Sequence, residues 1–177
     1  ACFLAQEGLK VLVLERRAAS GQGDNKAAIG GVRATHSDPG KIRMEVGAIQ
    51  EPFGNAVHAC TKVDLRGKSL AIFGCGTIGM FTILTARALG VSKIIGIEPN
   101  EDNARLAERL GVDEVVRFTP SKDWRSDPAV VEKVRRFGGG HGVDVAIEMA
   151  GFNSSVNNAL QSVRMGGDAV LFGIKSG

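Results

Sequence analysis

From Leu70 onward, short runs of β-forming residues alternate with helical stretches, and this alternation limits the possible folds most. The predicted strands are 70–73, 93–98, 114–118, 143–148 and 169–174. A first helix is predicted from Thr77 to Leu89, and a second begins after an N-cap at Asn100. A third begins after an N-cap at Asp127, with Pro128 as its first residue. The last helix has Val156, Leu160 and Val163 on one face. Such alternation is typical of parallel βαβ units. The strand runs are almost continuously apolar, which indicates helices on both faces of a doubly wound, Rossmann-type α/β sheet.

The chain divides by composition near Met44. Its 177 residues, 44% of them hydrophobic, suffice for one well-packed domain with a small appendage. Residues 1–44 contain a predicted strand at 10–15, followed by a Gly-, Ala- and Asn-rich arm without clear periodicity. We therefore predict an appended segment over 1–44 and a truncated domain over 45–177. The chain starts at Ala1 without Met or a leader pattern, so we expect a cytoplasmic protein or a fragment of one.

Charge and cysteine content exclude several classes of function. Cys2, Cys60 and Cys75 have no C-x-x-C spacing, which argues against a disulfide framework and a self-contained zinc site. The net charge is +3, with one Trp and no Tyr, so a nucleic-acid partner is not expected. An uncharged run over 69–86 is divided by glycines, which argues against a membrane span.

Residues 74–79 read G-C-G-T-I-G, a G-x-G-x-x-G run between a predicted strand and a predicted helix. In that position Gly74 can make the tight turn, Gly76 can let a pyrophosphate approach the backbone, and Gly79 can pack the helix closely on the strand. Free amides at the helix start would face the phosphates. The alternative is an ordinary strand-to-helix turn.

Glu98 is the predicted acidic partner of this loop. It lies nineteen residues after Gly79, at the end of the second predicted strand. A carboxylate there can accept both ribose hydroxyls of adenosine and would repel a 2′-phosphate. The predicted cofactor is therefore NAD rather than NADP, unless Glu98 is an unrelated surface glutamate.

Five motifs carry a family resemblance: EPFGNAVHA, GCGTIG, IIGIEPN, GVDVAIEMAG and GGDAVLFGI. Their order and spacing resemble the coenzyme domain of the zinc-dependent medium-chain dehydrogenases, most of all the threonine and sorbitol dehydrogenase branch. The resemblance implies oxidation of a secondary alcohol by hydride transfer to NAD, with zinc polarising the alkoxide. It also implies which residues contact each part of the cofactor. The pyrophosphate would be held by Gly74, Gly76, Thr77, Ile78 and Gly79, and the adenosine ribose by Glu98. The nicotinamide would be bordered by Ala150, Gly151, Gly173 and Ile174.

The sequence departs from this family in two respects. Asn103 occupies a position where the family often has an arginine, and we expect these 177 residues not to include the domain that carries the Cys, His and Glu zinc ligands. Glu51 resembles a carboxylate near the zinc, but one acid makes no metal site. We interpret His58 and Cys60 as packing residues. No catalytic residue and no metal ligand is therefore predicted.

Residues 1–44 resemble part of the FAD-binding region of D-amino-acid and glycine oxidases, through Glu15, Arg17 and Gly30-Gly31. The glycine loop of that family is missing, so FAD binding is not expected. The predicted strand at 10–15 could pair with the open edge of the strand at 169–174. This pairing would occur within one chain or by exchange between two, and the exchange would make a homodimer.

The predicted function is the NAD-binding part of a zinc-dependent alcohol or amino-alcohol dehydrogenase, of threonine or polyol type, without its catalytic zinc domain. An alcohol substrate is expected only where such a domain is supplied. The alternative is a non-enzymatic chimeric binding or interaction module whose dinucleotide site is vestigial.

Overall fold

The computed structural model describes residues 49–120 and 125–173. The helices are α1 (Gln50–Cys60), α2 (Thr77–Ala88), α3 (Glu101–Arg109), α4 (Pro128–Phe137) and α5 (Asn153–Ser162). The strands are β1 (Ser69–Phe73), β2 (Lys93–Ile97), β3 (Glu114–Val116), β4 (Val143–Glu148) and β5 (Val163–Leu171). Strands and helices alternate from β1 onward, as predicted. No helix within these ranges is long and apolar enough to cross a membrane.

The strands form one parallel sheet in the order β3-β2-β1-β4-β5. The central strand β1 pairs with β2 on one side and with β4 on the other, so the strand order reverses between β1 and β4. In an open α/β sheet this reversal opens a crevice at the carboxyl ends of the strands, where ligands bind. The predicted Rossmann-type fold class is confirmed.

Every residue of β1 is buried, because helices cover both faces of the sheet. Successive side chains of a strand point to opposite faces. Accordingly Leu70 and Ile72 belong to one hydrophobic cluster, and Ala71 and Phe73 belong to the other. The continuous apolar pattern of the sequence thus reflects a strand that is buried on both faces.

Two predicted helix caps are confirmed. The Asn100 side chain accepts a hydrogen bond from Asn103 N at 3.0 Å, at the start of α3. Asp127 Oδ1 accepts from Ala129 N at 3.0 Å and from Val130 N at 3.3 Å, with Pro128 following the cap. These short side chains satisfy amides that a helix start leaves without an internal partner.

The predicted apolar face of the last helix was wrong. Leu160 is 51% exposed, and Val163 lies outside α5 as the first residue of β5. The buried residues of α5 are Asn158, Ala159 and Ser162. The i, i+4, i+7 spacing assigned Val163 to the helix although it belongs to the strand. An apolar β-branched residue can belong to either element, so the spacing alone could not decide between them.

The predicted last strand began too late. Its predicted start was residue 169, whereas β5 begins at Val163 and pairs there with Val143. The register then shifts, so that Val145 pairs with Asp168. Gly166 has φ +73°, and a Cβ on Gly167 would lie 2.6 Å from the Asp144 carbonyl oxygen. The two glycines form an irregularity within the strand.

Several predictions lie outside the described residues. These are the division near residue 44, the segment over 1–44 with Glu15, Arg17 and Gly30-Gly31, the strand at 10–15 and the end of the predicted last strand at Ile174.

Candidate dinucleotide-binding site

Most of the predicted site residues lie at the carboxyl ends of three neighbouring strands. The glycine loop follows β1, Glu98 follows β2, and the turn at 149–151 follows β4. Gly74 touches the last of these closely, since a Cβ at position 74 would lie 3.0 Å from the Ala150 Cβ. The loop therefore lies at the point where the strand order reverses, which is the ligand-binding position of this fold class.

The three glycines of the loop differ in the way the motif predicts. Gly74 has φ +94°, a conformation that disfavours any side chain. A Cβ on Gly79 would lie 2.1 Å from the Gly74 carbonyl oxygen, so the start of α2 touches the turn. A Cβ on Gly76, in contrast, would have nothing within 4 Å. Only the middle glycine thus faces open space, where a ligand can approach.

The amino terminus of α2 is open to an anion. Gly76 is the N-cap residue, with extended backbone and no side-chain cap, and both Gly76 and Thr77 are exposed. Ile78 is half-buried behind them. The first amides of a helix have no partner inside the helix, and the helix dipole favours negative charge there. These amides can hold a phosphate group.

Glu98 is 5% exposed, and both of its carboxylate oxygens accept backbone hydrogen bonds. Oε2 accepts from Cys75 N at 2.8 Å, and Oε1 accepts from Asn100 N at 2.8 Å. The carboxylate therefore ties the glycine loop to the end of β2. The sequence predicted a ribose contact and missed this structural role, because spacing alone does not reveal backbone partners. Each oxygen keeps a further lone pair that could accept a ligand hydroxyl.

Cys75, inside the glycine loop, is a packing residue. Its side chain is fully buried, and a Cβ at Gly96 would lie 3.0 Å from its Sγ. Burial, and secondarily the charge of Glu98, raise the pKa of the Cys75 thiol to about 12. The thiol therefore stays protonated at neutral pH and is no nucleophile.

The residues predicted to border the nicotinamide lie together. A Cβ on Gly173 would lie 2.4 Å from Gly151 N, so Gly173, two residues after β5, lies against the turn after β4. Gly151 has φ +76° and is buried, and Ala150 is half-buried. Ile174 lies outside the described residues.

Glu148 is a residue of this region for which the sequence predicted no role. It ends β4 and has no exposed surface. Its Oε1 accepts from Ala150 N at 2.8 Å, Gly151 N at 2.8 Å and Ser155 Oγ at 2.5 Å. Its Oε2 is buried without a hydrogen-bond partner. The one available signal was a glutamate that directly follows three apolar residues, Val145 to Ile147, at the end of a strand.

The described residues do not fit a zinc site. Among residues 49–120 and 125–173, no three His, Cys, Asp or Glu side chains are grouped as metal ligands would be. Cys60 is fully buried and its Sγ lies 3.8 Å from the Thr82 carbonyl oxygen, which confirms it as a packing residue. His58 is exposed, and its ring centroid lies 6.4 Å from that of Phe172. Its predicted packing role is thus limited to a surface ring contact.

The chain is similar in sequence to several known dehydrogenases. The chain is 36% identical to an L-threonine 3-dehydrogenase of Symbiobacterium thermophilum over 133 residues, covering 75% of this chain and 36% of that protein. It is 33% identical to a sorbitol dehydrogenase of Arabidopsis thaliana over 141 residues, covering 78% of this chain and 38% of that protein. The chain thus spans little more than a third of the length of these relatives.

Two solved structures with the same fold are also similar in sequence to this chain. The 2R,3R-butanediol dehydrogenase of Bacillus subtilis is 32% identical, with a TM-score of 0.63, covering 74% of this chain and 36% of that one. A protein of Sinorhizobium meliloti 1021 solved bound to NADP is 29% identical, with a TM-score of 0.64, covering 73% of this chain and 36% of that one. Residues 77–177, more than half of the chain, match the family model described as zinc-binding dehydrogenase. The chain therefore belongs to the zinc-binding dehydrogenase family.

Proposed function

We propose that residues 45–177 are the coenzyme-binding part of a zinc-dependent alcohol or amino-alcohol dehydrogenase, of threonine or polyol type, and that they bind NAD in preference to NADP. The observation that carries this proposal is the open Gly76 at the uncapped start of α2, beside the buried carboxylate of Glu98. The names of the relatives support the class of reaction.

The pyrophosphate would lie over the glycine loop. Gly76 leaves room for it, and the first amides of α2, from Thr77 through Gly79, would donate hydrogen bonds. Gly74 and Gly79 would act indirectly, by permitting the tight turn and the close approach of the helix to the strand. The loop thus suits a diphosphate bridge rather than a single neutral ligand.

Glu98 would bind the adenosine ribose. Its two backbone hydrogen bonds hold the carboxylate in one orientation, while its remaining lone pairs can accept the 2′- and 3′-hydroxyls. A 2′-phosphate would bring like charge against a buried carboxylate, which is unfavourable. This is the physical reason for the proposed preference for NAD.

When bound, the nicotinamide would accept or donate a hydride. Ala150, Gly151, Gly173 and Ile174 would border it at the ends of β4 and β5. The described residues would bind and orient the cofactor, and an alcohol substrate and its zinc would require ligands from elsewhere.

A valine at Gly76 tests the proposal. We expect Gly76→Val to fold, because its Cβ meets no protein atom, but to weaken NADH binding by about 100-fold, since the side chain would occupy the phosphate position. Nicotinamide fluorescence titration measures the affinity, and circular dichroism checks the fold.

Gly54→Val is the matched control. Gly54 is exposed in α1 and a Cβ there also has nothing within 4 Å, so this substitution should leave NADH affinity unchanged. Unchanged affinity in Gly76→Val would show that the glycine loop is not the binding site.

A further inference from the structure

Glu148 is a buried glutamate whose position calls for an explanation. It ends β4, where it is in register with Phe73 of β1 and Leu171 of β5. Its side chain has no exposed surface, yet only one of its oxygens has hydrogen-bond partners. A buried carboxyl group is costly unless hydrogen bonds compensate for the lost water. An apolar residue would cost less free energy to bury at this position, so the carboxyl group calls for a role that an apolar side chain cannot fill.

One oxygen organises the turn after β4. Oε1 accepts from the amides of Ala150 and Gly151 and from the hydroxyl of Ser155 in the first turns of α5. The N-cap residue of α5, Phe152, makes no side-chain cap hydrogen bond. Glu148 therefore holds, from the strand, a helix start that has no capping side chain of its own.

The other oxygen lies against the segment after β5. A Cβ on Gly173 would lie 2.5 Å from Glu148 Oε2, so only a glycine fits beside the carboxyl group. The main chain of Glu148 adds to this contact, because its carbonyl oxygen accepts from Phe172 N and Gly173 N, each at 2.9 Å. Glu148 thus lies between the two backbone segments that are proposed to border the nicotinamide.

Glu98 has a similar arrangement on the opposite side of β1. Each glutamate follows or ends a strand that flanks β1, and each accepts from the amide two residues further along the chain, Asn100 N for Glu98 and Ala150 N for Glu148. A dinucleotide crosses the reversal point of the sheet, with one half on each side of it. Glu98 belongs to the side of the adenosine, and Glu148 to the other side.

We infer that Glu148 is a positioning residue for the nicotinamide half of the dinucleotide: its carboxyl group holds the backbone of Ala150, Gly151 and Gly173 in the arrangement that receives the ring. It acts through that backbone and makes no contact with the ligand, since it has no exposed surface. The inference rests on the proposed dinucleotide site.

The test compares two ligands on the full 177-residue chain. ADP-ribose lacks the nicotinamide, so the ratio of its dissociation constant to that of NADH isolates the contribution of the ring. We expect Glu148→Ala to weaken NADH by about 10-fold and ADP-ribose by less than about 2-fold, because the turn loses its anchor while the glycine loop keeps its own. Glu148→Gln keeps an acceptor oxygen for the same donors and should restore most of the ratio.

Asp144→Ala is the matched control, at the amino end of the same strand. Asp144 accepts from Ser69 and Arg164 there, so its loss should lower stability without changing the ratio. If Glu148→Ala fails to fold, Ser155→Ala replaces it: removing one donor to Oε1 should lower the ratio by about 2- to 3-fold.

The outcomes separate the two proposals. A wild-type chain that binds neither ADP-ribose nor NADH would refute the proposed function, and the role of Glu148 with it. Alternatively, the wild-type chain binds both ligands, while the variants at Glu148 and Ser155 change the ratio of the two dissociation constants no more than Asp144→Ala does. That result would refute only the role of Glu148. Equal weakening of both ligands would also refute it, since that pattern belongs to a purely structural residue.

Discussion

Glu98 has one observed role and one proposed role. Its carboxylate holds the amides of Cys75 and Asn100, and the same group is proposed to bind the ribose. A substitution that removes the carboxylate would therefore change the loop as well as the ligand contact. Glutamine is the better probe, because it keeps the size, and its one acceptor oxygen can still bind the buried amide of Cys75 while its NH2 group faces the exposed Asn100.

We expect Glu98→Gln to weaken NAD by about 1 to 3 kcal/mol, since charge-assisted hydrogen bonds to the ribose become neutral ones, and to weaken NADP less. Glu98→Ala should in addition lower the free energy of unfolding by about 1 to 3 kcal/mol, because a buried amide is left unpaired. Parallel titrations with both cofactors and thermal unfolding measure these effects. Equal losses for NAD and NADP in the glutamine variant would contradict the ribose assignment.

At the scale of elements, α2 begins unusually close to the turn that follows β1. A Cβ on Gly79 would meet a backbone atom, Gly74 O, so no flexible side chain could move away to make room. The first amides of α2 directly follow the open position at Gly76. Packing of this helix and geometry of the candidate site are thus the same feature.

Gly79→Ala should be strongly destabilising for this reason. A methyl group 2.1 Å from Gly74 O must displace the helix or the turn, and we expect a loss of about 3 kcal/mol or more in the free energy of unfolding. Gly76→Ala, whose methyl group meets nothing, should change stability by less than about 1 kcal/mol. Urea denaturation of the two variants measures the difference. Similar stability of both would mean that α2 does not approach the turn this closely.

At the scale of the whole sheet, polar contacts hold both ends of the central strands. At the carboxyl ends these are Glu98 and Glu148. At the amino ends Asp144 accepts from Ser69 N at 2.8 Å, from Ser69 Oγ at 2.7 Å and from Arg164 Nε at 2.6 Å, which joins β1, β4 and β5. The hydrogen bond from Ser69 N, followed by Arg164 and Ser69 Oγ, lowers the pKa of Asp144 to about 2.

This lowered pKa predicts how stability depends on pH. A carboxyl group with a lower pKa in the folded state stabilises the protein fully above its ordinary pKa of 3.8, and the stabilisation disappears as pH falls towards 2. Because the side chain is 28% exposed, solvent screening reduces the effect to about 1 kcal/mol. Asp144→Asn should therefore show a weaker loss of stability between about pH 4 and 2 than the wild type, in urea denaturation at each pH. The same slope in both proteins would contradict the assignment.

Much of the fold could be predicted from neighbouring residues in the sequence. The strand at Val143–Glu148 and the caps at Asn100 and Asp127 depend on local pattern and on hydrogen bonds within a few residues, and they were predicted correctly. The different surroundings of Gly74, Gly76 and Gly79 also followed from the motif and its place between a strand and a helix. Local conformational preference is sufficient for features of this kind.

Tertiary contacts decided the rest. Val163 belongs to β5 because it pairs with Val143, and the glycines after it fit within the strand because β4 shifts register beside them. Glu98 is held by an amide 23 residues earlier in the chain, and Glu148 lies against Gly173 in the segment after the neighbouring strand. Such partners are distant in sequence and become neighbours only when the parallel strands align. The sequence by itself therefore determined most of the elements and the glycine loop between β1 and α2, whereas the paired sheet determined which carboxyl groups hold the loops around it.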